Sequence, residues 1–190
     1  MREELEIELQ NRFAWLRRPD LSSRRTRTYE PVQGYSTYEN YGTEISDGWF
    51  QLVVDMFIEI EALYKKENVE PDYKLSQIKS KFGKLKCYGG RSGNEPGIHA
   101  IDFLGSGSIR FYPEEIDELT KDINDVIRKY EALSASVCEL CGATNAKLCK
   151  EPPVFRWVST LCPDCRDARI SLYNKKMDER AQKMKEDYTE

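Results

Sequence analysis

Apolar side chains return every three or four residues in five stretches of the chain, the spacing that places them on one face of an α-helix. These stretches are residues 3–16, 49–65, 71–83, 113–133 and 162–186. The second is the most hydrophobic and its apolar face is wide, so we expect it at the centre of the core, with Ser46 or Asp47 as its N-cap. The short third helix depends on the alignment of Leu75, Ile78 and Phe82.

Short apolar runs bounded by Gly-rich turns follow the third predicted helix and are typical of strands. The runs are residues 84–88, 98–103 and 109–112. Two more strands are predicted at residues 146–149 and 154–160, on either side of the two prolines at 152 and 153. The whole pattern predicts an α+β fold in which helices pack on a small antiparallel β-meander.

The last two predicted helices carry narrow apolar stripes of similar spacing. One stripe consists of Ile116, Leu119, Ile123, Val126, Tyr130 and Leu133, and the other of Ile170, Tyr173, Met177, Ala181, Met184 and Tyr188. Two narrow stripes favour pairing, either with each other or across a homodimer. Packing within one chain is favoured because consecutive elements usually lie side by side.

Four of the six cysteines form two Cys-x-x-Cys pairs. The pairs are Cys138 with Cys141 and Cys162 with Cys165. This spacing is typical of a single tetrahedral Zn²⁺ site made of four thiolates. Gly142 supplies the backbone freedom for a knuckle after the first pair, and Pro163 favours a helix start at the second. A knuckle, a hairpin and a ligand-bearing helix follow in the order of a treble-clef finger.

Disulfides and a redox-active pair are the alternatives to a metal site. Disulfides are disfavoured because no signal peptide precedes the acidic start of the chain, so we expect the reducing cytoplasm of a bacterial host cell. A redox pair leaves the other pair unexplained. Cys149 is an alternative ligand without a partner at short spacing, and Cys87 is expected to be a small buried side chain.

Composition limits the classes of protein that remain. With 39% hydrophobic and 11% aromatic residues, the 190-residue chain can bury one core, or a core plus a small zinc module. No apolar run approaches the roughly 20 residues of a membrane span, so no membrane partner is expected. The formal net charge of −4 argues against nucleic-acid binding over the whole surface.

Residues 19–46 lack periodicity and are interpreted as a long loop or wrapping arm. Five arginines lie in or just before this segment, namely Arg17, Arg18, Arg24, Arg25 and Arg27, and tyrosines follow them. Because arginines neutralise phosphates and tyrosines stack on bases, nucleic-acid binding by residues 17–41 is an alternative function.

The chain offers little for catalysis. Its only histidine is His99, which disfavours His-dependent nucleases and most catalytic triads. The loop at residues 89–97 has the glycines of an anion-binding turn, but it lacks the Gly-Lys-Ser/Thr ending of a P-loop. We therefore expect a protein that is not an enzyme, and a site built from Arg91, His99 and nearby acids is the remaining alternative.

Three segments of the chain form a pattern together: a Gly-Trp start at residues 48–52, the Gln-Ile-Lys-Ser-Lys-Phe-Gly-Lys-Leu-Lys-Cys-Tyr sequence at 77–88, and the cysteine finger at 138–142 and 157–165. This pattern resembles that of a group of small, uncharacterised bacteriophage and prophage proteins. The chain departs from the pattern at Ser80 and Cys87, and it has Cys165 where relatives often have His. The resemblance implies a phage or mobile-element origin and a zinc finger, and a host defence protein is one expected target.

The sequence thus predicts three parts: an N-terminal helix and Arg/Tyr-rich arm (1–47), an α+β core (48–135), and a zinc finger with a C-terminal helix (136–190). The predicted function is that of a zinc-stabilised, non-enzymatic protein that binds another macromolecule, with a protein partner preferred to nucleic acid.

Overall fold

The computed structural model of the chain describes residues 1–20, 30–92, 101–103, 107–109, 116–150 and 158–187. These residues form five α-helices: α1 (Glu3–Arg12), α2 (Thr37–Tyr41), α3 (Phe50–Glu67), α4 (Glu118–Leu133) and α5 (Pro163–Asp187). They also form six strands: β1 (Tyr73–Lys81), β2 (Lys84–Arg91), β3 (Ile101–Phe103), β4 (Gly107–Ile109), β5 (Lys147–Cys149) and β6 (Ser159–Leu161). The strands pair as three antiparallel hairpins, β1–β2, β3–β4 and β5–β6. The predicted mixture of helices and antiparallel sheet is confirmed.

The helix predicted at residues 71–83 is wrong, because this segment is strand β1. The pairing of β1 with β2 shifts between Leu75 and Gln77, where β1 contains a β-bulge. A bulge adds one residue to a strand, so the buried side chains of Leu75 and Ile78 lie three positions apart. That spacing imitated a helical stripe in the sequence.

The turn between β1 and β2 explains the rest of this error. Phe82 and Gly83 both have positive φ, 54° and 72°, which is the requirement of a type I′ hairpin turn. Gly83 therefore turns a hairpin instead of ending a helix. In the described residues β2 pairs with β1, and β3 pairs with β4, so two hairpins replace the predicted meander. Residues 98–100 and 110–112 of the predicted strands lie outside the described residues.

The core lies between α3, the β1–β2 hairpin, α4 and the N-terminal segment. Its fully buried members include Leu9, Phe13, Leu16, Trp49, Val53, Met56, Phe57, Ile60, Ile78, Leu85, Ile123 and Ile127. The central position predicted for the second helix, α3, is confirmed. Its predicted cap is wrong: a 3₁₀ turn, Asp47–Trp49, leads into α3, and neither Ser46 nor Asp47 caps it. Asp47 instead accepts hydrogen bonds from the backbone and side chain of Arg2.

Both edges of the β1–β2 hairpin are covered. On the β2 side, the backbone N–H of Leu85 donates to Ser134 Oγ at 2.9 Å and that of Cys87 donates to Glu131 Oε1 at 3.0 Å. On the β1 side, the backbone of Glu44 bonds to Ile78 and Ser80 at 2.9 and 3.0 Å. Since exposed strand edges invite further pairing, these contacts close the sheet at two strands.

The segment predicted as an arm contains the short helix α2. Ser36 begins α2 with a capping box: its hydroxyl accepts from Glu39 N at 3.1 Å, and its own N–H donates to the Glu39 carboxylate at 2.7 Å. Tyr38 is buried, and its hydroxyl donates to Leu16 O at 2.7 Å. The loop interpretation is therefore wrong for residues 37–41, which are fixed to the core, whereas residues 21–29 lie outside the described part of the chain.

The helices α4 and α5 differ in how they are packed. Asp117 caps α4 by accepting from Thr120 N at 2.7 Å, and the apolar stripe of α4 packs against α3 and β2. The stripe of α5 is not covered by that of α4. Beyond Ile170, Tyr173 alone is half-buried among the α5 side chains that the structure describes, and Met184 is 59% exposed. None of the described helices combines the length and apolarity needed to cross a membrane.

Candidate metal centre

The four cysteines of the two Cys-x-x-Cys pairs lie together in the structure. All of their Sγ atoms are within 4.8 Å of one another, and Cys141 Sγ is 3.6 Å from Cys162 Sγ. Sulfurs bound to one ion at about 2.3 Å in a tetrahedron are about 3.8 Å apart, so the cluster has the size of such a site. The cluster can therefore hold a metal ion.

The local backbone explains why the first pair converges. Cys138 N–H donates to Ala143 O at 2.8 Å, and Gly142 N–H donates to Cys138 O at 3.0 Å, so the chain doubles back within five residues. Gly142 adopts a φ of 81°, which is strained for residues with a Cβ. The turn holds Cys138 inside and leaves Cys141 exposed.

The second pair lies at the start of α5, as predicted. Pro163 is the first residue of the helix, and Arg166 N–H donates to Cys162 O at 3.0 Å. Cys165 N–H points at Cys162 Sγ at 3.5 Å. The first turn of α5 therefore supplies backbone N–H groups and the positive end of the helix dipole, which favour thiolates.

The environment of the cluster shifts the pKa values of its cysteines in opposite directions. Burial alone would raise the pKa of Cys138, but hydrogen bonds from backbone N–H groups, foremost that of Cys162, outweigh it and lower the pKa to about 7. Burial and the neighbouring sulfurs raise the pKa of Cys165. Crowded thiols resist ionising together, and a bound cation removes this penalty by attracting every thiolate.

The other cysteines lie outside the quartet. None of the six cysteines forms a disulfide in this structure. Cys149 is buried beside the cluster, but its Sγ contacts Lys147 O at 3.5 Å and is not among the converging sulfurs. It does not replace a ligand. Cys87 is buried in the main core, in agreement with its interpretation as a small apolar side chain.

The knuckle packs directly on the start of α3. Gly48 N–H donates to Glu139 O at 2.9 Å, and Trp49 Nε1 donates to Val137 O at 2.8 Å. A Cβ on Gly48 would lie 2.7 Å from Cys141 N and from Glu139 C, and closer still to Cys138 O. The glycine at this position lets two backbones approach each other.

A buried carboxylate completes this contact, and sequence reasoning missed it. Glu139 is 6% exposed; its side chain accepts from Thr160 N at 2.7 Å and from Ser80 Oγ at 3.1 Å. Burial raises the pKa of Glu139, while these hydrogen bonds oppose the shift. Thr160 Oγ1 in turn donates to Gly83 O at 2.5 Å in the hairpin turn. No periodicity marks Glu139, because its partners come from distant parts of the chain.

The segments that carry the phage-protein resemblance therefore meet at one place. The Gly-Trp start at 48–52 and the hairpin turn within 77–88 both contact the segment around the cysteine finger, through Gly48, Trp49 and Gly83.

The arginines proposed for nucleic-acid binding are placed differently from one another. Arg17 is exposed. Arg18 donates to the Glu6 carboxylate at 2.7 Å and to the carbonyls of Glu39 and Asn40, so its guanidinium joins α1 to α2. Its side chain is 22% exposed, and these partners occupy it. Arg24, Arg25 and Arg27 lie outside the described residues.

Arg91, which belongs to the alternative enzyme site, is also engaged. Arg91 donates to Asp72 at 2.8 Å and to both carboxylate oxygens of Asp117 at 2.8 and 2.9 Å. These bonds tie the end of β2 to the segment before β1 and to the cap of α4. His99 and residues 93–97 lie outside the described part of the chain.

Comparison of the chain with known protein families, with curated proteins and with solved structures finds no significant match.

Proposed function

We propose that this chain is a zinc-stabilised, non-enzymatic protein that binds another protein in the cytoplasm of a bacterial host. The observation that carries the first part is the convergence of four thiols within 4.8 Å, on a knuckle and at a helix start. Four soft sulfur donors of this geometry select Zn²⁺ over hard cations such as Mg²⁺ and Ca²⁺. Four protein ligands fill a tetrahedral ion, so the metal supports structure and leaves no position for a substrate.

The order of elements supports a treble-clef arrangement for this finger. A knuckle carries Cys138 and Cys141, the β5–β6 hairpin follows, and α5 carries Cys165. A bound metal would hold the knuckle and α5 together. The hydrogen bonds of Glu139 and Gly48 would fix this unit against the core.

The exposed part of α5 supports a role in binding. A helix of 25 residues extends about 37 Å at 1.5 Å per residue, and its second half makes little contact with the described core. Apolar side chains line it, with Met177 42% and Met184 59% exposed. Methionine adapts to irregular partner surfaces, so this stripe is suited to a protein partner. The resemblance to phage proteins adds a mobile-element origin and a host defence protein as target.

Metal content tests the zinc assignment. Purified protein is expected to contain about one zinc per chain by elemental analysis, and Cys138→Ser is expected to lose it and to unfold the finger. Cys149→Ser is the matched control, because Cys149 is buried nearby without joining the quartet. Equal zinc content in Cys138→Ser and the wild type would contradict the proposal.

Partner capture tests the binding surface. Zinc-loaded, tagged protein is incubated with host extract, and the captured proteins are compared between the wild type and Met177→Glu/Met184→Glu. The double variant is expected to lose a partner that Ser171→Glu retains, since Ser171 lies on a different, polar face of α5. Identical captured proteins for both variants would show that the α5 stripe is not the interface.

A further inference from the structure

The second half of α5 is exposed around its whole circumference. Every side chain from Asn174 to Met184 is exposed, whereas the first half of the helix contains the half-buried side chains of Ile170 and Tyr173. We call residues 174–184 the outer segment of α5. Because all of its side chains are exposed, a partner can reach any face of this segment.

The apolar side chains of the outer segment share one face. At about 100° per residue, Met177, Ala181 and Met184 lie within about 60° of the helix circumference. Met177 is 42% exposed and Met184 is 59% exposed. A stripe this narrow is typical of the seam between two packed helices. Helices that lie on a bilayer instead present a wide apolar face with Trp, Phe or Leu.

The charged side chains are distributed unevenly about this stripe. Lys176, Arg180 and Lys183 lie on the same side of it, three or four residues apart, and we call them the basic edge. None of the three forms an ion pair with a residue that the structure describes. The carboxylates of the outer segment are elsewhere: Asp178 lies on the opposite edge and Glu179 on the back of the helix.

We propose that the outer segment of α5 binds an acidic amphipathic helix of a partner protein. This assignment rests on the proposed function, in which α5 is the interface, and it names the chemistry of the partner. Apolar side chains of the partner helix pack on Met177 and Met184, and its Asp or Glu residues pair with the basic edge. Ion pairs beside an apolar seam determine which helices associate, so the basic edge selects the partner.

A second copy of α5 is a poor occupant of this surface. In an antiparallel pair of identical helices the basic edge would face itself. In a parallel pair it would face the opposite edge, where Asp178 is the only carboxylate of the outer segment. Like charges across a seam oppose association, so charge complementarity favours a different, acidic chain.

Two designed peptides test the charge of the preferred partner. Both are amphipathic helices of about 20 residues with Leu at the seam. The acidic peptide has Glu beside the seam, and the basic peptide has Lys at the same positions. Fluorescence anisotropy with the full zinc-loaded chain is expected to show at least about tenfold higher affinity for the acidic peptide, because the basic edge repels the other. This difference should shrink at high salt, which screens exposed ion pairs.

Two neighbouring lysines provide matched variants. Lys176→Glu reverses a charge on the basic edge and is expected to weaken binding of the acidic peptide about three- to tenfold. Lys175→Glu makes the same change one position away, on a different face of α5, and is expected to change this affinity less than about twofold. Both lysines are exposed, and circular dichroism verifies that both variants fold.

Several results would overturn the acidic partner: equal affinity for the two peptides, binding of neither peptide, or equal losses in Lys176→Glu and Lys175→Glu. Co-sedimentation with vesicles of phosphatidylglycerol and phosphatidylcholine, without binding of the acidic peptide, would identify a membrane as the occupant instead. Self-association of the chain through α5, measured by analytical ultracentrifugation, would identify a second copy.

The failure of this inference can be distinguished from that of the proposed function. If Met177→Glu/Met184→Glu loses a host partner but the two peptides bind equally, α5 remains the proposed interface and only the acidic partner is wrong. A chain that binds the acidic peptide but contains no zinc would contradict the proposed metal site alone.

Discussion

The contact between the knuckle and the start of α3 decides whether Gly48→Ala stabilises or destabilises the protein. At a glycine with ordinary φ and free space, Gly→Ala stabilises a protein by about 0.4–1 kcal/mol, because it restricts the unfolded chain. At Gly48 the added Cβ would sit 2.7 Å from two backbone atoms of the knuckle, well inside ordinary contact. Backbone cannot rotate away as a side chain can, so the knuckle or α3 must shift.

The size of the effect follows from two contributions. Overpacking of this kind costs about 1–3 kcal/mol. The shift also strains the Gly48 N–H bond to Glu139 O, 2.9 Å in the native structure, which adds about 1 kcal/mol. We therefore expect Gly48→Ala to destabilise the protein by about 2–4 kcal/mol, which for this chain length lowers the Tm by about 5–15 °C. Because the displaced atoms belong to Cys138 and Cys141, zinc affinity is expected to fall about tenfold.

Urea unfolding of the zinc-loaded protein, followed by circular dichroism, measures the stability, and competition with a chelator measures the zinc affinity. Gly34→Ala is the control: Gly34 has a φ of 87° but nothing within 4 Å of its Cβ position, so it tests backbone strain alone. It is expected to cost about 1 kcal/mol with unchanged zinc affinity. Stabilisation by Gly48→Ala would refute the close contact between finger and core.

Three further substitutions test other contacts. Glu131→Ala should destabilise the protein by about 3–5 kcal/mol in urea unfolding, because it removes the buried carboxylate that pairs with Lys86 at 3.4 Å and accepts the Cys87 N–H of the β2 edge at 3.0 Å. Arg91→Ala should cost about 1–2 kcal/mol near pH 7. Burial opposes the shift, but hydrogen bonds from Arg91 and Tyr64 hold the pKa of Asp72 below 3.8, so the stability difference from the wild type should close as pH falls below that value. Phe82→Asn should stabilise the protein by about 1 kcal/mol in thermal unfolding, since Asn tolerates the positive φ of this turn.

Each of these has a distinct contrary outcome. A cost below 1 kcal/mol for Glu131→Ala would mean that water already solvates the β2 edge. If the stability difference between Arg91→Ala and the wild type widened in acid, the pKa of Asp72 would not be lowered in the folded protein. Destabilisation by Phe82→Asn would show that the 38% exposed ring packs usefully. Lys121→Ala, in an exposed pair with Glu118, is the common control and should change stability by less than about 0.5 kcal/mol.

Sequence reasoning succeeded where the signal is local. The positions of α3 and α4 follow from stripes that repeat every three or four residues, and both helices formed. The cysteine quartet follows from two short spacings, since a two-residue gap brings two sulfurs to one side of a turn. It failed at β1, where a single bulge residue gave a strand the spacing of a helix.

In the candidate metal site too, the features with a local sequence signal were predicted and those that depend on distant residues were not. The four sulfurs were predictable, but Glu139 and Thr160 were not, because their partners at Ser80 and Gly83 are far away in the chain. The role of Arg18 was also hidden. An arginine beside other arginines suggests phosphate binding, yet here the guanidinium meets the carboxylate of Glu6, and only the folded chain brings those residues together.

The sequence by itself determined the positions of the helices α3 and α4 and which cysteines share a site, because each depends on residues within a few positions of one another. The tertiary structure decided which strand edges are covered, which charges are paired, which apolar stripe stays exposed on α5 and where the finger meets α3. Those outcomes depend on contacts between residues tens of positions apart, and no local pattern encodes them.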